Sequence, residues 1–214
     1  MVRALNPFGI ALESLRDGLR NGVHARGDPL IVVDLSRKLK LSPTPVREAL
    51  SRLAGEGLII DRRGRGYFAP RQDIHELVDL YQLHLTYVEC AFRLRRDDTA
   101  ANRASNIWGK TALKAMLAST KDRDAALRDY VESFYAEIVA GAGNEVLASA
   151  HRVLADRLAF ARRAEARVIP DLKTELERLA ELLDQSTIDD LETEIRAYHA
   201  RRLKIASRIV GTLR

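Results

Sequence analysis

The sequence has a single cysteine, Cys90, one Trp, and only 6% aromatic residues in total. One cysteine cannot form an intrachain disulfide, which is typical of a reducing compartment. No apolar run approaches the roughly 20 residues that a membrane-spanning helix needs. The first seven residues, Met1 to Pro7, lack the apolar core of a secretory signal. We therefore expect a cytoplasmic protein with no membrane contact.

The positive charge is concentrated in the first third of the chain. With 214 residues, 46% hydrophobic and 30% charged, the composition is that of a globular protein with one large or two small domains. Residues 1–70 hold 12 Lys/Arg and 7 Asp/Glu, whereas residues 71–214 hold 23 of each. A basic module joined to a neutral body points to a polyanionic partner, although an excess of this size is also compatible with a solvated surface.

Apolar spacing predicts three helices in the basic region. The first is expected over 8–21, and the second over 33–39 with Val33, Leu35 and Leu39 inward. The third is the clearest: Ser42 is a favoured N-cap, Pro43 suits the first helical position, and the helix stops in glycines 55 and 57. Its inward stripe is Val46, Ala49, Leu50 and Leu53.

A hairpin follows the third helix. The expected strands are 58–60 and 66–69, around a turn that carries Arg62, Arg63 and Arg65. Three helices followed by an Arg-tipped, two-stranded wing are the plan of a winged helix-turn-helix. In that module, the N-terminal residues of the third helix face base edges in the major groove of DNA.

The outward side of the third helix supplies candidate contacts to DNA. Arg47 can donate two hydrogen bonds to guanine, Thr44 can reach a base or a phosphate, and the helix start at Ser42 can hold a phosphate. The arginines of the hairpin are placed to grip the backbone or the minor groove. For any single residue, a solvated or ion-paired surface role is an equal alternative; the combination favours DNA. The predicted DNA-binding residues are Lys38, Lys40, Ser42, Thr44, Arg47, Arg62, Arg63, Arg65 and Gly66.

The same residues resemble a known family. Thr44-Pro45-Val46-Arg47-Glu48-Ala49-Leu50, with the trailing Glu56-Gly57 and Arg65-Gly66, is similar to the DNA-binding domain of GntR-family transcription regulators. With a helical tail, the chain resembles the FadR-type branch in its shorter, VanR-like form. The family usually has Arg where this chain has Pro43, so the resemblance implies an altered operator preference.

From residue 71 onward the pattern is helical throughout. About six helices are expected, near 73–96, 98–118, 122–140, 144–166, 171–184 and 188–211, and these lengths imply an antiparallel bundle. The predicted fold is therefore mainly α: a winged helix-turn-helix domain over 1–70, followed by an all-α helical bundle over 71–214. The resemblance implies that the bundle binds an effector and dimerises.

Many members of this branch hold a metal in the helical domain with one Asp and three His, a pattern only partly present here. The Asp position is Val131, the His of a Phe-His pair is Tyr135, the third position is Leu176 or Glu177, and only His199 matches. A lone imidazole makes a poor metal site. We predict no tightly bound metal and no cofactor, and the sequence leaves open a weak site that includes Asp129, Glu132 and His199.

Five polar residues are candidates to line an effector pocket in the bundle: Tyr81, His84, Tyr135, Asn144 and His199. Structural alternatives stay open for three of them. Asn144 suits an N-cap, His84 suits a satisfied buried histidine, and Tyr135 can fill the volume of the missing metal. The resemblance implies organic acids or acyl thioesters as effectors.

These patterns predict a homodimeric, ligand-responsive transcription regulator that binds an inverted-repeat operator in double-stranded DNA. No arrangement of residues argues for catalysis, so we do not expect an enzyme. An alternative is a metabolite-binding or enzymatic helical protein with a vestigial DNA-binding module, and a helical adaptor is a third possibility. The sequence identifies neither the effector, the operator, the regulated genes nor the sign of regulation.

Overall fold

The computed structural model describes residues 6–97, 109–185 and 188–213. The chain forms two compact units, which divide between Gln72 and Asp73. The first contains α1 (Pro7–Arg20), β1 (Pro29–Leu30), α2 (Val32–Leu39), α3 (Pro43–Gly55), β2 (Ile60–Arg62) and β3 (Gly66–Phe68). The second contains α4 (Ile74–Asp97), α5 (Lys110–Ser119), α6 (Arg123–Ala140), α7 (Glu145–Val168), α8 (Leu172–Asp184) and α9 (Ile188–Thr212). The predicted fold class is confirmed.

The core of the N-terminal unit lies between α1 and α3. Leu15 of α1 packs in one buried cluster with Leu50 and Leu53 of α3. One prediction about α2 is wrong: Val33 is 58% exposed. The helix begins at Val32, so the side that faces the core carries Val32, Leu35 and Leu39 at spacings of three and four, and Val33 falls on the outer side.

The end of α3 directs the chain into the core. Gly57 adopts the left-handed conformation with φ 72, and its N–H donates to the Ala54 carbonyl at 3.0 Å. The Leu58 N–H donates to the Leu53 carbonyl at 2.9 Å, which completes a Schellman motif. Leu58 is consequently buried, as is Ile59, and the strand predicted over 58–60 begins only at Ile60. Both residues anchor the chain ahead of the hairpin instead of pairing in it.

The wing is a three-stranded antiparallel sheet in the order β1-β3-β2. Ile60 and Pro29 both pair with Phe68, from opposite sides of β3. The predicted hairpin is present, but its turn is shorter than expected, because Asp61 and Arg62 belong to β2. β1 was not expected from the sequence, since two residues that include a proline carry no strand periodicity.

The C-terminal unit consists of six helices among the described residues. The helix predicted over 98–118 begins at Lys110, after Gly109 in an extended conformation; residues 98–108 lie outside the described part of the chain. Two buried apolar clusters fill the unit, one centred on Phe134 and Tyr135 of α6, the other on Leu158 of α7. In the described ranges, no helix combines the length and apolarity that a membrane crossing requires.

Leu50 tests the core of the N-terminal unit. Its side chain is fully buried, so Leu50→Ala removes apolar contacts and leaves a cavity, and we expect a loss of about 2–5 kcal/mol in unfolding free energy. Hydrogen exchange of the α1 and α3 amides measures this loss in the unit concerned. Val33→Ala is the matched control on an exposed position, with an expected effect within about 0.5 kcal/mol. Equal effects of the two substitutions would contradict this packing.

Candidate functional site

One side of α3 is anchored and the other is presented to solvent. Val46 and Leu50 are buried in the core, while Thr44, Arg47 and Ser51 are exposed. Arg47 forms no ion pair with any described carboxylate. The Arg47 side chain therefore extends into solvent from a helix that is anchored in the core. Its guanidinium keeps all of its hydrogen-bond donors for an external acceptor.

The turn between α2 and α3 is built around Lys40. Its backbone has φ 56 and ψ 39, and it is the one non-glycine residue with positive φ in the described part of the chain. The Leu41 N–H donates to the Ser36 carbonyl at 3.0 Å and closes the turn. Lys38 and Lys40 are both exposed. Lys40 thus has a backbone role in addition to the DNA contact predicted for it.

Two prolines limit the number of backbone donors at the start of α3. Ser42 is the N-cap, but its hydroxyl makes no capping hydrogen bond. Pro43 and Pro45 have no N–H, so Thr44 and Ser42 retain the only free backbone donors of the first turn. A phosphate at this helix start would therefore be held by the N–H groups of Ser42 and Thr44. The Ser42 hydroxyl, which has no N–H at Pro45 to cap, stays exposed.

The three wing arginines are not equivalent. Arg62 lies in β2, and its guanidinium carbon sits 5.0 Å from the centre of the Phe68 ring, a cation–π contact. Arg63 and Arg65 lie in the turn, are exposed, and pair with no described carboxylate. Gly66, another predicted contact, has φ 90, so its backbone conformation favours glycine. The freest cations of the wing are Arg63 and Arg65.

A hydroxyl pair joins the helix to the wing. The Ser51 Oγ lies 2.6 Å from the Tyr67 hydroxyl, which connects the outward side of α3 to β3. The sequence pattern does not predict this contact, because it depends on the strand register, which no local pattern encodes. The pair links α3 to β3 of the wing.

The interior of the C-terminal unit contains a polar group that we call the histidine cluster: His84, His151, His199 and Arg162. These side chains come from α4, α7 and α9, and all are buried. His84 Nδ1 lies 2.8 Å from His199 Nε2, while His84 Nε2 lies 3.2 Å from His151 Nε2 and 2.8 Å from Arg162 Nη2. His84 and His199 are among the residues predicted from the sequence, whereas His151 and Arg162 of α7 are not. Their separation of 11 residues, three helical turns, would have placed them on one side of that helix.

The hydrogen bonds of the histidine cluster run in one direction. A carbonyl can only accept, so the 2.7 Å contact of His199 Nδ1 with the Ile195 oxygen requires a proton on Nδ1. Neutral His199 then accepts at Nε2 from His84 Nδ1–H. His84 Nε2 is therefore an acceptor, and its one lone pair is shared between the N–H groups of Arg162, at 2.8 Å, and His151, at 3.2 Å. Each lone pair of His84 and His199 is occupied.

The histidines of the cluster are uncharged at neutral pH. Burial, with the charge of Arg162 acting in the same direction, lowers the pKa of His151 to about 4. Burial also lowers the pKa of His199 to about 3, against the hydrogen bond to Ile195. The pKa of His84 is lowered well below its usual value by burial and then by Arg162. Arg162 is thus the cationic member of the cluster.

The other predicted effector residues are distributed over three environments. Tyr135 stands edge-on to His84, with ring centres 4.7 Å apart, and its buried hydroxyl has no hydrogen-bond partner among the described residues. Tyr81 donates to Glu165 and belongs to a separate network. Asn144 is exposed and accepts the Leu147 N–H at 2.9 Å, so the structure gives it the N-cap role that the sequence left open. Its effector role stays a prediction.

The separate network is a buried ion cluster. Arg202 lies 2.8 Å from Glu165 and 2.8 Å from Glu175, with its guanidinium carbon 3.2 Å from the centre of the Tyr198 ring. These contacts join α7, α8 and α9. Each charge is paired, so the network is satisfied internally and provides structure in the bundle core.

A divalent metal does not fit the histidine cluster. The usable lone pairs of His84 and His199 already accept hydrogen bonds, and the Arg162 guanidinium stands where a second cation would be repelled. Asp129, a residue that could contribute to a weak site, is partly exposed and pairs with Arg128 at 2.7 Å. Among the residues described by the structure, no three His, Cys, Asp or Glu side chains converge as a metal site.

Acid should destabilise the C-terminal unit through His151. An unfolded chain protonates this imidazole near pH 6.5, but the folded protein does so only near pH 4, because burial lowers its pKa. Between these values the unfolded state binds more protons, so stability falls as the pH falls, by roughly 3 kcal/mol for a shift of this size. Urea unfolding at pH 7 and pH 5 should show a smaller pH effect in His151→Gln than in the parent protein.

His75→Gln provides the control for this experiment, since His75 is exposed on α4. Its unfolding should keep the pH dependence of the parent protein. An unchanged pH dependence in His151→Gln would show that this imidazole does not titrate as its burial implies.

Comparisons with known proteins agree with this architecture. The "Nta operon transcriptional regulator" of Aminobacter aminovorans is 30% identical over 139 residues, 64% of each chain, so the match spans a little under two thirds of that relative. The solved structure of E. coli McbR/YncC has a TM-score of 0.74 at 16% identity, covering 96% of this chain and 99% of its own. A GntR structure from Rhodococcus sp. RHA1 has a TM-score of 0.73 at 15% identity, covering 95% and 97%.

These structural likenesses show a shared fold that includes the helical unit. The family model described as "Bacterial regulatory proteins, gntR family" matches residues 11–68, which hold α3 and the wing. The resemblance expected from the Thr-Pro-Val-Arg-Glu-Ala-Leu motif is thereby confirmed. Over residues 11–68, the chain is similar to the gntR family of bacterial regulatory proteins.

Proposed function

We propose that this protein is a sequence-specific, DNA-binding transcription regulator of the FadR-type branch, with a C-terminal unit that dimerises and binds a small-molecule effector. The observation that carries the proposal is the exposed, unpaired Arg47 on a helix whose opposite side is buried in the core. Such a helix can enter the major groove without losing its support. The family match over 11–68 and the name of the Aminobacter relative support the same function.

The two parts of the DNA surface have different tasks. Arg47 is placed to donate two hydrogen bonds to O6 and N7 of a guanine, which would supply sequence preference. Arg63 and Arg65 on the wing turn would contact phosphates, and phosphate contacts supply affinity without sequence preference. The Ser51–Tyr67 pair would fix the distance between the helix and the wing. In the proposed DNA surface, α3 therefore supplies sequence preference and the wing supplies affinity.

The proposed homodimer would match the two-fold symmetry of an inverted-repeat operator. Two copies related by a two-fold axis would place one α3 in each half of an inverted repeat. An effector bound in the C-terminal unit would change DNA affinity by favouring one placement of the two DNA-binding units. The histidine cluster with Tyr135 is the place in the bundle that we assign to the effector.

Arg47→Ala should reduce both affinity and sequence preference. We expect a loss of about 1–3 kcal/mol on the specific site and a smaller loss on random duplex, because a base contact exists only on the specific site. Gel shifts at two salt concentrations on DNA upstream of the protein's own coding region measure both values. Equal losses on the two duplexes would contradict the base-reading role of Arg47.

Arg63→Ala is the matched control, since it removes the same charge from the wing. We expect it to weaken both duplexes to a similar extent and to lower the salt dependence by about one phosphate contact. A parent protein that shifts no DNA at either salt concentration, yet turns over or binds a metabolite, would support the helical metabolite-binding alternative.

A further inference from the structure

An acidic side chain lies in the middle of the proposed DNA surface. Thr44, Arg47, Glu48 and Ser51 follow the spacing i, i+3, i+4 and i+7, so they share one side of α3, and all four are exposed. Glu48 directly follows Arg47, the residue that we assign to a guanine. A carboxylate therefore faces the same groove as that guanidinium, on a surface that otherwise carries positive charge.

Glu48 is not neutralised within the described part of the chain. The cation one turn further along α3 is Arg52, at the spacing that favours a Glu–Arg ion pair on a helix. Arg52 Nε instead donates to Glu56 Oε1 at 2.8 Å, and Arg16 Nη2 donates to Glu56 Oε2 at 2.7 Å. The Glu48 carboxylate forms no ion pair or hydrogen bond with any described residue. Its negative charge is therefore exposed to solvent.

The charge of Glu48 has different consequences for phosphates and for bases. Phosphates repel a carboxylate, so Glu48 lowers the affinity for DNA of any sequence. At a base edge, a carboxylate that loses water is compatible only with a hydrogen-bond donor. In the major groove only adenine N6 and cytosine N4 donate, and adenine places its N7 acceptor beside N6. Cytosine is the one base with a donor and no acceptor on that edge.

We propose that Glu48 is a second base-reading residue, which accepts a hydrogen bond from N4 of a cytosine close to the guanine read by Arg47. Consecutive residues of a helix are about 1.5 Å apart along its axis, and stacked base pairs are about 3.4 Å apart. The two side chains therefore reach the same base pair or neighbouring ones. Glu48 acts mainly by rejecting other sites, because thymine and guanine present acceptors to it. This assignment rests on the proposed DNA-binding function and names a determinant of its sequence preference.

The first test selects preferred sites from a pool of random duplexes, with the full chain of the parent protein and of Glu48→Gln. A glutamine amide both donates and accepts, so it pairs with N6 and N7 of adenine. The parent sites should hold a cytosine in the base pair of the guanine that Arg47 contacts, or in the next one. The Glu48→Gln sites should hold adenine in place of that cytosine. Selection with Arg47→Ala locates the guanine, because the preference there should be lost.

Binding constants on the selected site and on random duplex give a second readout. Glu48→Ala should bind random duplex several-fold more tightly at low salt, because repulsion from phosphates is removed. The ratio of its affinities for the selected site and random duplex should fall about tenfold. A role in folding alone would instead weaken both. Glu13→Gln is the matched control, since it removes an exposed carboxylate from α1, and it should select the same sites as the parent.

Three results would overturn the proposal. Identical sites selected by the parent and by Glu48→Gln would show that the carboxylate reads no base. A loss of the guanine preference, with the cytosine unchanged, would make Glu48 a residue that orients Arg47. Weaker binding of Glu48→Ala to random duplex would contradict the repulsion from phosphates. A parent protein that selects no sequence would contradict the proposed function itself, whereas a parent that selects sites without this cytosine would contradict only the role of Glu48.

Discussion

The hydrogen bond from Arg162 to His84 determines the chemistry of the helical core. A guanidinium has donors only, so it forces His84 to accept at Nε2 and to carry its proton at Nδ1. That proton makes His199 an acceptor, and the chain ends at the carbonyl of Ile195. One permanently charged donor thus sets the tautomers of two buried rings on two further helices. Such a directed chain is compatible with burial because each of its imidazoles stays neutral.

The two buried polar networks of the bundle differ in how many partners their arginines have within the protein. Arg202 has two carboxylates and an aromatic ring around it, and its charge is matched within the protein. Arg162 donates to one imidazole, and its Nε and Nη1 have no hydrogen-bond partner among the described residues. Both arginines are buried, so burial alone does not explain the difference. The difference in partners is the physical reason to look for an external ligand at one arginine and not at the other.

Much of the N-terminal unit was predictable from sequence because its signals are local. The cap at Ser42, the apolar stripe of α3 and the glycine stop lie within one helix, and the structure reproduces them. Predictions from local pattern were wrong where the exact start of a helix decides which side chains face the core. Val33 was placed inward because it is apolar, but the start of α2 at Val32 turns it outward. At the start of α3, Pro43 and Pro45 leave Ser42 and Thr44 as the residues with free N–H groups.

The candidate sites were harder to predict, since their members meet only in three dimensions. His84 and His199 are 115 residues apart in sequence, and no periodicity joins them. Tyr135 was named from its place in the family's metal pattern, but its edge-on contact with His84 depends on how α6 packs. The Ser51–Tyr67 bond depends on strand register in the same way. Residue type and spacing identify candidates, whereas helix packing decides which of them touch.

The left-handed backbone of Lys40 has a consequence for how this turn can change. A side chain in that conformation costs roughly 1 kcal/mol relative to glycine, and asparagine tolerates it better than lysine does. Substitution by either residue would relax the backbone while deleting an exposed cation next to α3. At position 40, a substitution that stabilises the turn therefore also removes a positive charge. A more thermostable version of this turn would be a less basic one.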